Sequence, residues 1–196
     1  MTEEADALLA QGGIARQYLN HRHQAMASCD WISDRFAAPL FVPKLEEPAI
    51  AATCRVDGAF ARRELHFPDI GVIPTPGHTE GSTCFLWDDG QRRYLFTGDT
   101  IYLKEGEWVV AVLSVSDRAT YLKSLALIGE LDFDDIVPSR LCREFWLKLK
   151  EGNERGSASG GELHKWVKLA CGGPLDEKAR ARACGKPFRC CARRDQ

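Results

Sequence analysis

Three histidines and one aspartate have the types and the spacing to hold a metal ion. His21 and His23 are two residues apart, His78 follows a Pro-Gly pair, and Asp99 follows a glycine. At the end of a strand, a spacing of two sends both rings of the pair to the same face, where they can share an ion. Short turns that fix His78 and Asp99 in advance also suit metal ligation.

Three neutral imidazoles are the ligand set that suits a zinc ion with an open fourth position. A water molecule in that position has its pKa lowered to about 7, which yields hydroxide near neutral pH. Asp99 could then bind the metal or orient that water. A His-x-His pair by itself is more often two surface or core histidines. The patterns around His78 and Asp99 favour the metal site over that alternative.

A predicted β-hairpin connects the surroundings of His78 to those of Asp99. The apolar runs Thr83–Trp87 and Arg93–Phe96 each predict a strand, and the Asp-Asp-Gly-Gln segment between them predicts the turn. His78 precedes the first strand and Asp99 follows the second. The two side chains are therefore expected near strand ends, where they can point into a shared cleft.

The remaining pattern alternates helices and strands, which predicts an α/β fold with helices packed on sheets. Ser116 is the predicted cap of the clearest helix. Its apolar stripe comprises Tyr121, Leu122, Leu125, Ile128 and Leu131. The predicted helices are Thr2–Gln11, Met26–Phe36, Glu46–Cys54 and Ser116–Leu131, and the further predicted strands are Ala15–Asn20, 40–42, Ala59–Phe67, Asp69–Pro74, Glu107–Val112 and 135–137.

The motifs TPGHTEGS, at residues 75–82, and FTGDT, at residues 96–100, resemble in order and spacing those of the metallo-β-lactamase-fold hydrolases. LNHRHQAM, at residues 19–26, is similar to the family's earlier HxHxDH motif. The resemblance covers about Ala7 to Pro138. It implies a metallo-β-lactamase-like αββα sandwich with a metal cleft at the edge between its sheets. It also implies metal binding by His78 and Asp99, joined by the histidine pair.

The activity that this resemblance implies is metal-dependent hydrolysis. A metal-bound hydroxide would attack a small-molecule ester, thioester, amide or phosphoester, with Asp99 as the catalytic residue. The alternative is a family member that keeps the fold without turning over substrate and serves as a binding or interaction protein.

Several departures from the family pattern limit the metal site. The Asp and His that end HxHxDH are replaced by Ala25 and Met26, and Arg140 stands nearest the position of the last family histidine. Neither Ala25 nor Met26 can hold a hard divalent ion, so we predict at most one zinc ion. Cys29 and Asp30 are possible substitutes, but a buried thiol and a surface carboxylate are the favoured interpretation. Only 20 residues precede the histidine pair, so the first sheet is expected to be truncated.

Charge divides the 196-residue chain into two predicted parts. Residues 1–138, the predicted domain, hold 12 Lys and Arg against 21 Asp and Glu, whereas residues 139–196 hold 14 against 7. The second part carries five of the eight cysteines and is rich in Gly and Ser at its start, which predicts a basic, partly disordered extension. It contains no Cys-x-x-Cys pair, so unpaired thiols are favoured over a zinc cluster. A solvated tail is likewise favoured over contact with nucleic acid.

The segment MTEEADALLAQGG at the N-terminus is acidic and has no basic region, so we predict no signal peptide. No apolar run approaches the roughly 20 residues of a membrane span. These two observations predict a cytoplasmic protein that does not enter a membrane.

Overall fold

The computed structural model describes residues 2–104 and 107–139. They cluster into two compact units, the first running to Ala61 and the second beginning at Arg62. Arg140 and nearly all of the basic extension predicted for residues 139–196 lie outside the described residues. The predictions for that extension, and for the domain that ends at residue 138, therefore stay predictions.

The first unit contains a small parallel sheet of three strands, which lie side by side in chain order. Its core is apolar and includes Leu40, Val42 and Ile50, none of which is exposed to solvent. The elements are α1 (Thr2–Ala10), β1 (Gln17–Tyr18), a 3-10 helix (Arg22–Gln24), α2 (Ser28–Phe36), β2 (Leu40–Pro43), α3 (Glu47–Ala51) and β3 (Gly58–Phe60).

The second unit is built on a five-stranded sheet with the order β10 (Asp135–Pro138), β7 (Arg93–Gly98), β6 (Thr83–Asp88), β5 (Ile70–Pro74) and β4 (Glu64–His66). All neighbours in it are antiparallel except β7 and β10, which are parallel. A separate two-stranded sheet pairs β8 with β9. The elements are β4 (Glu64–His66), β5 (Ile70–Pro74), β6 (Thr83–Asp88), β7 (Arg93–Gly98), β8 (Tyr102–Lys104), β9 (Glu107–Val109), α4 (Arg118–Glu130) and β10 (Asp135–Pro138).

The predicted hairpin is confirmed as β6 and β7, paired with Asp88 opposite Arg93. Its turn is closed by main-chain and side-chain bonds. Asp89 N–H donates to the carbonyl of Arg92, and Gly90 N–H donates to the Asp88 carboxylate. These short-range bonds explain why the Asp-Asp-Gly sequence is a reliable turn signal.

Helix α4 lies where it was predicted, but its cap and its stripe differ from the prediction. Asp117 is the cap, because its carboxylate accepts from the N–H groups of Ala119 and Thr120. Leu122 is 39% exposed, whereas Ser124 is buried and donates to the carbonyl of Pro76. A neighbouring carbonyl thus makes a polar residue the better choice for that buried position.

The strand predicted over Ala59–Phe67 is wrong as a single element. It is two strands, β3 and β4, which belong to different sheets. Residues 61–63 between them are all exposed, so this stretch buries no side chain in either sheet. The other predicted elements appear in the predicted order, and the α/β class is confirmed. The helices are shorter than predicted, whereas β2, β6, β7 and β10 extend one or two residues further, and the 3-10 helix and β8 were not predicted.

Within residues 2–104 and 107–139, no helix is long and apolar enough to cross a membrane. The cytoplasmic location stays a prediction.

Candidate metal centre

The histidine pair of the first unit lies in a turn rather than in a strand. Strand β1 ends at Tyr18, His21 has an extended backbone, and the 3-10 helix then begins at Arg22. The prediction that strand alternation aligns His21 and His23 is therefore wrong. The pair comes together through this turn, with ring centroids 5.2 Å apart and one ring nitrogen of each within 4.8 Å of the other.

The two rings of the pair differ in their surroundings. His21 is only 1% exposed and its Nε2 is buried, whereas His23 is exposed. Two bonds close the turn around them: Gln24 N–H donates to the carbonyl of His21, and the Gln24 side chain accepts from Asn20 N–H at 2.7 Å. The turn therefore presents two imidazoles close enough to share one ion.

His78, in the second unit, lies in the turn between β5 and β6 and is 1% exposed. Its Nδ1 is 2.7 Å from the carbonyl oxygen of Ala111. Because a carbonyl can only accept, Nδ1 must carry the proton and donate it. In the neutral ring this leaves a lone pair on Nε2, which is buried. A ring held in this way by a main-chain carbonyl is the usual arrangement of a metal-binding histidine.

The Pro-Gly-His turn is packed tightly against the start of α4. Gly77 has φ +143°, and a Cβ placed on it would lie 2.4 Å from the Cα of Tyr121. Asp117 N–H donates to the carbonyl of Gly77, and Ser116 Oγ donates to the carbonyl of His78 at 2.8 Å. Glycine is therefore required here by both conformation and space, and the helix start holds His78 in place.

The Thr and Ser residues of the TPGHTEGS motif support the same turn. Thr79 N–H donates to Ser82 Oγ at 2.9 Å, and the two hydroxyl groups are 2.8 Å apart. Gly77 N–H donates to the carbonyl of Thr79, and Thr75 N–H donates to that of Ser82. These buried hydroxyl and amide groups satisfy each other, so the motif has a structural as well as a chemical requirement.

Asp99 lies directly after β7, where Gly98 has φ +57° and the chain turns sharply. The Asp99 side chain is half-buried. Thr100 N–H donates to the carbonyl of Thr97, and the Tyr121 hydroxyl donates to the carbonyl of Thr100 at 2.6 Å. The carboxylate is thus held on a turn fixed from both sides.

Tyr121 connects the support of His78 with that of Asp99. Its hydroxyl oxygen is also 3.4 Å from the Ala111 carbonyl that accepts from His78. Burial raises the pKa of Tyr121, and the neighbouring Cys84 and Asp99 raise it further. The phenol therefore stays protonated and remains a hydrogen-bond donor at any ordinary pH.

Of the positions that depart from the family pattern, the structure describes Ala25 and Met26, and neither side chain carries a nitrogen or oxygen ligand. Ala25 packs on the first core, and Met26 is 59% exposed. Cys29 is buried in the same core, as predicted. The Asp30 carboxylate accepts from the N–H of Arg55 at 2.8 Å and forms an ion pair with its guanidinium. Asp30 thus has a structural role on the surface of α2.

Comparison with known proteins identifies the family. The model of the metallo-beta-lactamase superfamily matches residues 30–140, which is more than half of the chain and includes His78 and Asp99. The match begins after the histidine pair. Hydroxyacylglutathione hydrolase from Francisella tularensis subsp. novicida (strain U112) is 37% identical over 91 residues. That stretch is 46% of this chain and 33% of the relative, so the chain matches a third of that protein's length.

Solved structures share the fold at low identity. A metallo-beta-lactamase from Pontibacter korlensis has a TM-score of 0.57 and 14% identity, with 80% of this chain and 68% of that chain covered. TTHA1623 in a di-iron-bound form has a TM-score of 0.59 and 18% identity, covering 82% and 81%. A metallo-beta-lactamase from Staphylococcus aureus subsp. aureus COL has a TM-score of 0.61 and 15% identity, covering 95% and 57%. The predicted fold is confirmed, and the chain belongs to the metallo-beta-lactamase superfamily.

Proposed function

We propose that this protein is a metal-dependent hydrolase that holds one divalent ion with His21, His23 and His78, and that Asp99 binds this ion weakly or orients its water. The observation that carries the proposal is the state of His78. Its Nδ1 donates to the Ala111 carbonyl, so that in the neutral ring the lone pair lies on the buried Nε2. A buried imidazole fixed in this tautomer has the form that metal ligation requires.

The donor set supports one ion rather than two. Three imidazoles suit a zinc ion with an open fourth position, so zinc is the first metal to test. The di-iron-bound form of TTHA1623 makes iron the second. Ala25 and Met26 stand where the family motif supplies further ligands, and neither offers an oxygen or a nitrogen from its side chain. We therefore propose a single tightly held ion.

When bound, the ion would supply a Lewis acid and would lower the pKa of a coordinated water. The chain's own contribution to the chemistry is the Asp99 carboxylate. Its half-buried position on a fixed turn allows it to orient a water molecule and to accept a proton from it. The Ala111 carbonyl and the start of α4 hold the His78 ring in one orientation during this transfer.

For the substrate we propose a small molecule with an ester, thioester, amide or phosphoester bond. The relative named as a hydroxyacylglutathione hydrolase puts thioesters first among these, since acyl groups on glutathione are carried by sulfur. Esters follow, because the attack on the carbonyl is the same. Amides and phosphoesters complete the test panel.

A second candidate is a family member that binds a partner without turning over substrate. It is favoured by the replacement of two motif ligands by Ala25 and Met26. The two candidates differ in one measurable property. The hydrolase turns over at least one substrate class when loaded with metal, whereas the binding protein turns over none.

Asp99→Asn and His78→Ala, with His66→Ala as a control, test the proposal. His66 lies on β4, where its ring contacts Phe67, so it is a histidine outside the proposed site. We expect Asp99→Asn to retain most of its zinc but to lose about 100-fold or more in turnover, because the proton acceptor is gone. His78→Ala is expected to lose the metal, and His66→Ala to keep both properties.

The hydrolase proposal fails if wild-type protein loaded with zinc, cobalt, manganese or iron is inactive on the whole panel. It fails equally if Asp99→Asn turns over as fast as wild type, since no other residue has been assigned the proton.

A further inference from the structure

A fully buried carboxylate binds the residue between the two histidines of the first unit. Glu46 has no solvent exposure, and it immediately precedes α3. Its two oxygens accept three hydrogen bonds from Arg22, which lies between His21 and His23. Buried carboxylates are uncommon and require strong compensation, so this arrangement calls for a specific role.

The three bonds fix both the main chain and the side chain of Arg22. Its main-chain N–H donates to Oε2 at 3.1 Å, Nε donates to the same oxygen at 2.5 Å, and Nη2 donates to Oε1 at 3.1 Å. The guanidinium and carboxylate therefore meet as a two-pronged pair, the strongest geometry for such ions. The main-chain bond adds a constraint that a simple ion pair lacks.

That main-chain bond acts directly on the histidine turn. The N–H of Arg22 belongs to the peptide that joins it to His21, so its bond to Glu46 limits rotation on both sides of this peptide. His21 is extended at this point, with ψ 170°, and the chain changes to a 3-10 helix in the next residue. The Glu46 bond therefore holds the position from which both imidazoles project.

Glu46 is itself attached to a rigid part of the first unit. Its N–H donates to the carbonyl of Pro43, and its own carbonyl accepts from Ile50 N–H at 3.0 Å. Ile50 is fully buried in the core that also contains Leu40 and Val42. The Glu46 carboxylate therefore attaches the histidine turn to the rigid core of the first unit.

Stability alone gives a weak reason for such a pair. The Glu46 carboxylate loses its water completely, whereas the Arg22 side chain stays 35% exposed. Ion pairs that cost a charge its water are often no more stabilising than apolar side chains of the same volume. We propose that Glu46 is a positioning residue that holds the His21-Arg22-His23 turn ready for a metal ion. This inference rests on the proposed metal-binding function of that pair.

Cobalt(II) titration of the full chain, followed by its visible absorption bands, tests the role of Glu46. Glu46→Gln keeps the shape of the side chain but removes the charge and one acceptor. We expect its Kd for cobalt(II) to rise about 10- to 100-fold, the usual cost of losing a group that orients ligands. We also expect changed absorption bands at saturation, since one imidazole is displaced.

Glu47→Gln is the matched control, because Glu47 is adjacent and pairs with Lys44 at the surface. It should bind cobalt(II) like wild type. Circular dichroism melts establish that each variant is folded. If Glu46→Gln does not fold, Arg22→Lys replaces it, since lysine keeps the charge and the main-chain donor but loses the planar fork. This variant should also bind more weakly and with changed bands.

The inference is overturned if wild type binds cobalt(II) and a folded Glu46→Gln or Arg22→Lys binds equally tightly with unchanged bands. Wild-type protein that binds no cobalt(II), zinc or iron contradicts the proposed function itself, and the role of Glu46 then falls with it. The two failures are therefore distinguished by the wild-type titration.

Discussion

Gly77→Ala is the substitution for which the geometry gives the largest expected effect. Gly77 has φ +143°, a conformation that residues with a side chain rarely adopt. The added Cβ would lie 2.4 Å from the Cα of Tyr121 and 2.6 Å from its Cβ. These atoms belong to Tyr121, which is buried in the first turn of α4, so they cannot move aside as a surface side chain does.

The expected loss of stability has two parts. Backbone strain at such a φ costs about 1–3 kcal/mol. Forcing an extra carbon into a packed region costs about another 1–3 kcal/mol. The sum is a decrease of about 2–6 kcal/mol in the free energy of unfolding, a large fraction of the stability of a typical domain.

Urea unfolding of Gly77→Ala and Gly90→Ala separates these two parts. Gly90 also has positive φ, +87°, but a Cβ on it meets nothing within 4 Å. Gly90→Ala should therefore show the strain alone, and Gly77→Ala should lose about 1–3 kcal/mol more than that control. If both variants lose the same free energy, the proposed tight packing of the His78 turn on α4 is wrong.

Three further predictions concern the support of His78 and Asp99. Tyr121→Phe removes the donor to the carbonyl of Thr100 in the turn after β7. The free energy of unfolding, measured with urea, should fall by about 1–3 kcal/mol because a buried carbonyl loses its partner. A decrease below about 0.5 kcal/mol would contradict this role. Ser116→Ala removes the donor to the His78 carbonyl and should lower the free energy of unfolding by about 1–2 kcal/mol. Ser114 is exposed, so Ser114→Ala should stay within about 0.5 kcal/mol of wild type. Equal effects of the two substitutions would contradict the role of Ser116. Hydrogen bonds from the backbone and side chain of Thr120 hold the pKa of Asp117 below its usual value. The stabilisation from this helix cap is therefore complete above about pH 3.9, the pKa in the unfolded chain, and is lost as the pH falls through the lower pKa of the folded protein. The difference in melting temperature between wild type and Asp117→Ala should therefore shrink in acid, and a constant difference would refute it.

Much of the fold follows from local sequence signals. The hairpin of β6 and β7 could be predicted because its turn is closed by bonds among residues 88–92. The position of α4 could be predicted because most of its buried residues repeat at helical spacing. The motif residues His78 and Asp99 could be identified for a similar reason, since each stands next to a glycine with positive φ that its turn requires.

The details that could not be predicted depend on contacts between distant residues. His23 could not be assigned to a 3-10 helix, because the bonds from Arg22 to Glu46 join residues 24 apart. Ser124 is buried because the carbonyl of Pro76 lies beside it, 48 residues earlier. Tyr121 reads in the sequence as one member of an apolar stripe, and nothing local reveals that its hydroxyl meets the turn after β7.

The metal content of the purified 196-residue chain tests the central claim most directly. The protein would be loaded with zinc, freed of excess metal by desalting, and measured by elemental analysis beside His78→Ala. On the ligand count, we expect about one tightly held ion per chain in wild type and a clear loss in His78→Ala. Two tightly held ions per chain, no retained metal, or an unchanged content in His78→Ala would contradict the account.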